Sequence, residues 1–392
     1  MSKWEWKEFE DCIERVKYTT KIPSKDYLQE GEFPIVSQED CLISGYWNDR
    51  SDLFKVTKPI VIFGDHTKVL KYIDFDFVLG ADGVKILCPK DYLNAHFFFY
   101  FLKSVNFDNL GYARHYRLLK ELSVPIPPLS EQKRIVKFLD EEFSKIDSLK
   151  TNAETNFKNA KELFETTLEK ELNPLSHHSE RSEESSADLP SGWEWKTLRE
   201  LCILRPSKNE ALSHLKGTDE VSFLPMEDLN IRERNTIPHK SRALSEVHGS
   251  YTFFAEGDVL LAKVTPCFEN GKMGIASNLL NGVGFGSSEY IVFRTTKSMI
   301  NSYLFYVLMS SRFISGGKKQ MLGACGLKRL SKEYVESFQI PLPPLSVQKE
   351  IVARLDKLSE NVKRLEANYK QTIANCDELK KTILKQTFQG GN

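Results

Sequence analysis

The sequence predicts an α+β protein: two mixed α/β modules joined by two long antiparallel coiled-coil helices, with pseudo-two-fold symmetry. Three observations predict it. A seventeen-residue segment occurs twice. Each copy opens a long run with apolar side chains at every third or fourth position. Each is preceded by a stretch of short β-rich runs broken by turns.

The duplication comes first, because internal repeats constrain architecture more than any local pattern. Residues 125–141 read PIPPLSEQKRIVKFLDE and residues 341–357 read PLPPLSVQKEIVARLDK, identical at eleven of seventeen positions with an offset of 216. A second echo lies upstream, WEWK at 4–7 and again at 193–196. Two copies are too few for a solenoid and suit two equivalent modules, about 4–129 and 193–345.

Each PPLS marks a helix start. Proline cannot continue a strand ladder and disfavours helix in the residue before it. Ser130 and Ser346 are expected as N-caps. The predicted helices, 130–174 and 346–390, contain no Gly or Pro before Pro174 and Gly390. The first carries Ile135, Leu139, Phe143, Ile146, Leu149, Ala153, Phe157, Ala160, Phe164, Leu168 and Leu172. The second carries Ile351, Leu355, Leu358, Val362, Leu365, Tyr369, Ile373, Cys376, Leu379 and Ile383. This is the narrow stripe of a coiled coil. About forty residues make a rod of roughly 60 Å. A helix with one stripe needs a partner, and the expected one is the other helix of the same chain, running antiparallel. The rival is packing on its own module or on another protein. Between the first helix and the second module, 175–190 is polar, Ser/Glu-rich and free of aromatics, as a linker would be. His177 and His178 within it have no third ligand nearby.

Within the modules, 58–65, 75–89, 257–264 and 287–295 read as strands. AHFFFYFLKSV (95–105) and NSYLFYVLMSS (301–311) hold the same place in each module. They fit buried helices, although periodicity over eleven residues does not separate helix from strand.

Composition narrows the function. Of 392 residues, 41% are hydrophobic, which supports packed cores. There is no eighteen-residue apolar run and no signal-peptide core at the N-terminus, so a soluble, cytoplasmic protein is expected, with no membrane. Seven cysteines, never closer than 29 residues, show no zinc spacing; reduced, mostly buried thiols and no metal are expected. Lys+Arg and Asp+Glu balance at 54 each. That argues against simple electrostatic nucleic-acid binding, yet a neutral chain can still present a basic face.

At PxPPLSxQKxIV followed by a long helix, the chain resembles the central and C-terminal conserved regions of Type I restriction–modification specificity subunits. SGWEWKTL (191–198) is similar to the usual opening of their target recognition domains. GDVLLAKVTPCFENGKMGIA (257–276) with NGVGFGSSEYIVFR (281–294) resembles one class of such domains; GEFPIVSQED, IVIFGDHT and FVLGADGVKIL resemble another. The resemblance implies target recognition domains at 1–129 and 191–345. It implies that each reads half of a bipartite, asymmetric DNA site, with the helices setting the gap. It implies double-stranded DNA, methyltransferase (M) subunits and restriction (R) subunits as partners, and neither cofactor nor catalysis in this chain. A specificity subunit of a related methyltransferase–nuclease system, and a coiled-coil scaffold that binds only proteins, are the other readings.

No chemistry of its own is legible. There is no Asn/Asp-Pro-Pro-aromatic loop, no P-loop, and the glycines of NGVGFGSS precede an apolar strand rather than a helix. Asp258 with Lys263, and Asp82 with Lys85, lack the acid–x–Lys spacing of a nuclease. Candidate DNA contacts fall on loops instead. Lys263 and Lys272 are candidates for phosphate, and Thr265, Glu269 and Asn270 for base edges. The alternative is a surface turn served by Asn270-Gly271. Ser287 and Ser288 either contact phosphate or start a strand. Before each proline motif lies a basic stretch: Arg114, His115, Arg117 and Lys120 with Tyr112 and Tyr116, then Lys318, Lys319, Lys328 and Arg329 among glycines. His66 and Thr67 sit at a strand end that could do the same work.

Overall fold

A computed structural model describes residues 4–81, 83–107, 114–173, 189–324 and 326–389. The linker reading for 175–190 falls mostly outside them, as do Asp82, Tyr112 and Cys325. The chain forms two compact units, Met1–Thr155 with Tyr369–Asn392, and Asn156–Asn368. Each holds one module and one stretch of both long helices.

In the first unit the WEWK echo has a structural job. Glu5–Glu8 pairs antiparallel with Ser123–Ile126, setting Trp6 opposite Pro125. In the second, Glu194–Thr197 pairs with Gln339–Leu342, setting Trp195 opposite Pro341. The opening strand thus zips onto the strand before each proline motif and closes the module. A two-stranded pair tolerates proline because both strands are edges.

Each module contains two further sheets with the same connectivity. In the first unit the order is Ile13–Glu14, Val84–Pro89, Ile60–Gly64, Leu70–Ile73, all antiparallel. The second sheet runs Gly45–Trp47, Phe33–Val36, Phe77–Leu79, Leu53–Phe54, with a parallel central pair. In the second unit, Cys202–Leu204, Tyr290–Thr295, Val259–Ala262 and Met273–Ala276 repeat the first order, and Asn235–Thr236 adds an edge. Lys240–Ala243, Glu220–Leu224, Val283–Gly286 and Thr252–Ala255 repeat the second, again with a parallel central pair.

Two strand expectations change. The run 75–89 is not one strand: it divides between two sheets, because Gly83 turns the chain at φ +97 where a Cβ would strike the Gln38 side chain. The glycines of NGVGFGSS form a strand themselves, Val283–Gly286. Gly284 lets that strand lie against the Phe254 ring, since a Cβ there would sit 2.1 Å from the ring edge.

The segments left open between helix and strand are helices, Ala95–Ser104 and Asn301–Met309. Asn94 caps the first by accepting from the His96 and Phe97 N–H groups. Tyr303 through Met309 are all buried, as expected of a helix that is apolar all round. Its counterpart packs Phe97 and Phe101 edge-on against Phe388 of the second long helix.

The long helices span Leu129–Leu172 and Leu345–Gln389. Each begins one residue before the expected serine cap. Pro128 and Pro344 carbonyls accept the first helical bonds, from Gln132 and Gln348, so Ser130 and Ser346 lie within the first turn. The helices pair antiparallel. In the first unit Lys150 bonds Asp377 at 2.7 Å and Asp147 bonds Lys380. In the second, Arg354 meets Glu171 at 2.7 Å. Ile135, Leu139, Ile146, Ala153, Leu168, Ile351, Leu355, Val362 and Cys376 of the predicted stripes are buried. Leu149, Leu365 and Leu379 are exposed instead. A 3.6-residue turn drifts from a 3.5-residue seam, so not every position at three-four spacing faces the partner.

One residue of the repeated motif docks each module on its helix. Gln132 is fully buried; its amide donates to the Tyr92 and Pro127 carbonyls and accepts from the Asn94 N–H. Gln348, also fully buried, donates to the Ser298 and Pro343 carbonyls and accepts from the Ile300 N–H. Both motif aspartates repeat as well: Tyr100 donates to Asp140 and Tyr306 to Asp356.

Candidate nucleic-acid interface

In each unit several of the candidate residues lie around the residue that follows a central strand. In the first this is Asp65, just past Ile60–Gly64. Its N–H donates to the Gly83 carbonyl at 2.7 Å, and its carbonyl accepts from the His115 N–H at 2.8 Å. In the second it is Lys263, past Val259–Ala262. Its N–H donates to the Glu289 carbonyl at 2.9 Å, and its carbonyl accepts from the Leu330 N–H at 2.8 Å. The same backbone scheme therefore ties a strand-end loop to the basic stretch before the proline motif in both modules. The residues carried there differ.

Asp65 is 2% exposed. Its carboxylate accepts from the Tyr116 N–H at 2.8 Å and lies 3.8 Å from the Lys85 ammonium. His66 is exposed at the turn, its N–H held by the Gln38 side chain at 3.2 Å. Thr67 is exposed too, but its hydroxyl donates to the Gln38 carbonyl at 2.6 Å and accepts from the Val69 N–H, so it braces the turn. Arg114 and Arg117 are exposed beside it. His115 requires correction as a contact residue. It is 1% exposed, with its ring nitrogen 3.0 Å from the Asp65 carbonyl. It positions the loop from beneath.

In the second unit Lys263 is largely sheltered. Its ammonium donates to the Ser288 carbonyl at 2.9 Å and lies 3.7 Å from Glu289. Burial lowers its pKa below the ordinary lysine value, against the pull of Glu289. Glu289 in turn grips Arg329 through two nitrogens, at 2.8 and 3.0 Å. The Arg329 hydrogen bond holds the Glu289 carboxyl below its usual range. Thr265 exchanges hydrogen bonds with the Lys328 backbone. The Ser287 hydroxyl accepts from the Glu289 N–H, and Ser288 is exposed.

Beyond Thr265 the chain makes a tight turn. The Asn270 N–H donates to the Pro266 carbonyl, and Gly271 adopts φ +73. Asn270 is exposed and Glu269 half-buried. Lys272 is half-buried, and its ammonium donates to the Met226 carbonyl at 2.8 Å. Lys318 and Lys319 are exposed on the last turn of the helix Ser311–Lys319.

The structure adds one element that sequence reasoning missed. Met321–Ala324 pairs antiparallel with Leu327–Leu330 as a two-stranded ribbon apart from both sheets of the module. The signal was there in the small residues at 323–326, but four-residue strands leave too little alternation to read.

No reacting carboxylate emerges among the described residues of these clusters. Asp258 is 2% exposed and accepts two bonds from the Arg294 guanidinium, each 2.8 Å, and one from the Ala255 N–H. That is a structural ion pair. Among the described residues, no group of three or more His, Cys, Asp or Glu could hold a metal, and no helix is long and apolar enough to cross a membrane.

Comparison with known proteins gives a consistent family. Residues 1–156 and 190–375 match the Type I restriction modification DNA specificity domain. The chain is similar to the EcoAI and EcoEI Type I restriction enzyme specificity subunits of Escherichia coli, each 35% identical over 216 residues. Those matches cover 55% of this chain but 36% and 35% of the relatives, so the chain spans about a third of the length of the curated relatives it matches first. A chain from a structural study of complex assembly and conformational transition in the type I R-M system shares the fold. Its TM-score is 0.70 at 19% identity, covering 100% of this chain and 99% of that one.

Proposed function

The chain belongs to the Type I restriction modification DNA specificity family, and we propose that it reads a bipartite, asymmetric site on duplex DNA without chemistry of its own. In this reading it brings methyltransferase and restriction subunits to that site, in the cytoplasm. The relatives named above are specificity subunits of restriction enzymes, which supports the assignment. One observation carries the asymmetry. Both modules present a strand-end loop through the same pair of backbone hydrogen bonds, but the exposed side chains there differ, His66 in the first and Asn270 and Ser288 in the second. Equivalent scaffolds with different side chains suit two different half-sites.

Exposed groups do the reading: His66, Arg114 and Arg117 in the first module; Asn270, Ser288, Lys318 and Lys319 in the second, with Glu269 half-buried beside them. Lysine and arginine fix phosphates, while Asn, Glu and His meet base edges. Thr67, His115, Lys263, Thr265 and Ser287 hold those loops in place. The modules carry little net charge, so partner subunits supply much of the phosphate neutralisation.

The test is a methylome. The chain is expressed with the methyltransferase subunit encoded beside it, in a host without DNA methylation, and modified bases are mapped. The expected result is one bipartite motif with a fixed gap that disappears when the chain is omitted. Methylation independent of the chain, with the partner stably bound, overturns the reading in favour of a protein scaffold.

A further inference from the structure

The ribbon of Met321–Ala324 and Leu327–Leu330 has two unlike faces. Directly opposed residues share a face, so Met321 pairs with Leu330 and Leu322 with Arg329, and the faces alternate along the ribbon. Met321 and Leu330 are 9% and 5% exposed and join the core of the unit. On the opposite face Leu322 is 66% exposed and Leu327 53%. Two leucines on one open face of a two-stranded ribbon form an apolar surface available to a partner.

The surroundings say what covers that face. From Lys318 to Leu330 there are four cations and no carboxylate. Lys318, Lys319 and Lys328 are exposed. Arg329 is committed to Glu289, which braces the ribbon, as do the Leu330 N–H to the Lys263 carbonyl and the Lys328–Thr265 bonds. The ribbon is also thin: Gly323 sits at φ +136, where a Cβ would lie 2.5 Å from the Leu327 carbonyl. A braced two-stranded ribbon with cations at its flanks and an apolar face fits the major groove, about 12 Å wide, where thymine methyl groups offer apolar contact.

We propose that the strand pair Met321–Ala324 and Leu327–Leu330 enters the major groove of duplex DNA, with Leu322 and Leu327 against base edges and Lys318, Lys319 and Lys328 on the flanking phosphates. It thereby fixes part of the half-site read by the second module. This rests on the DNA-reading function proposed above.

The experiment compares methylomes of the full chain, Leu322→Ser/Leu327→Ser and Lys328→Gln, each with the same methyltransferase subunit. With wild type giving a bipartite motif, the double-leucine variant relaxes one or two positions of one half only, lowering the cognate preference there about tenfold. Lys328→Gln lowers methylation evenly across sequences and reduces the salt dependence of DNA binding by about one phosphate contact. Should the double variant fold poorly by circular dichroism, Leu322→Thr and Leu327→Thr, taken singly, give the same reading. An unchanged motif at unchanged strength overturns the proposal. So does lost methylation accompanied by lost co-purification of the methyltransferase, which marks the face as a protein contact. No motif from wild type overturns the DNA-reading function itself.

Discussion

Gln132 and Gln348 show how a repeated residue becomes a repeated interaction. Each sits at zero exposure and bonds one N–H and two carbonyls of its own module. A buried polar group costs little when bonded, and its unmade partners cost much. Gln132→Ala is expected to destabilise the first unit by roughly 2–4 kcal/mol, measured by urea denaturation, and Gln348→Ala the second to a similar degree. Equal loss from an exposed neighbour such as Lys133 would show that the clamp is unimportant. Glu289 gives a pH-dependent counterpart. Its carboxyl lies below the ordinary 4.5 because Arg329 donates to it, so the unfolded chain takes up the proton first. The contribution of this pair is complete above pH 4.5 and is lost as pH falls through the depressed value. Thermal midpoints of wild type and Glu289→Gln should differ by a constant amount near neutrality and converge in acid; a gap that widens in acid contradicts this.

At the scale of elements, the long helices raise the question of what holds them together. Ion pairs such as Lys150–Asp377 lie in solvent, where the Coulomb gain is screened and side-chain entropy opposes it. Leu139 is fully buried on the same helix. Leu139→Ala should cost roughly 2–5 kcal/mol through lost transfer energy and the cavity left behind, while Lys150→Met should cost a small fraction of that. Comparable losses in a denaturation series would mean that charge, not the apolar seam, dominates. The exposed Leu149 and Leu379 of the same unit lie off that seam, so their replacement by Gln should leave the melting temperature nearly unchanged.

At the scale of the whole molecule, the modules have one topology and two sets of loop residues. The sequence segments that resemble two classes of recognition domain therefore fold on one plan. The proposed reading of DNA then divides by module. Asn270→Ala with Ser288→Ala should alter one half of the methylated motif and leave the other intact, and His66→Ala should alter only the half read by the first module. A change in both halves from either set would show that the modules do not read independently.

The duplication, a long helix after each proline motif and the pairing of those helices are legible in the amino-acid sequence alone. These follow from local signals: proline before a helix start, apolar spacing of three and four, and a repeated motif. The sequence did not determine which polar side chains face outward. Lys272 bonds the Met226 carbonyl, Thr265 the Lys328 backbone and His115 the Asp65 carbonyl, partners 46, 63 and 50 residues away. Nor did it reveal that 75–89 serves two sheets, or that 321–330 is a ribbon with one open apolar face. A pattern along the chain reports which face of an element is apolar. Only the packed fold decides which distant backbone groups compete for a lysine or a threonine, and so which of them remain on the surface.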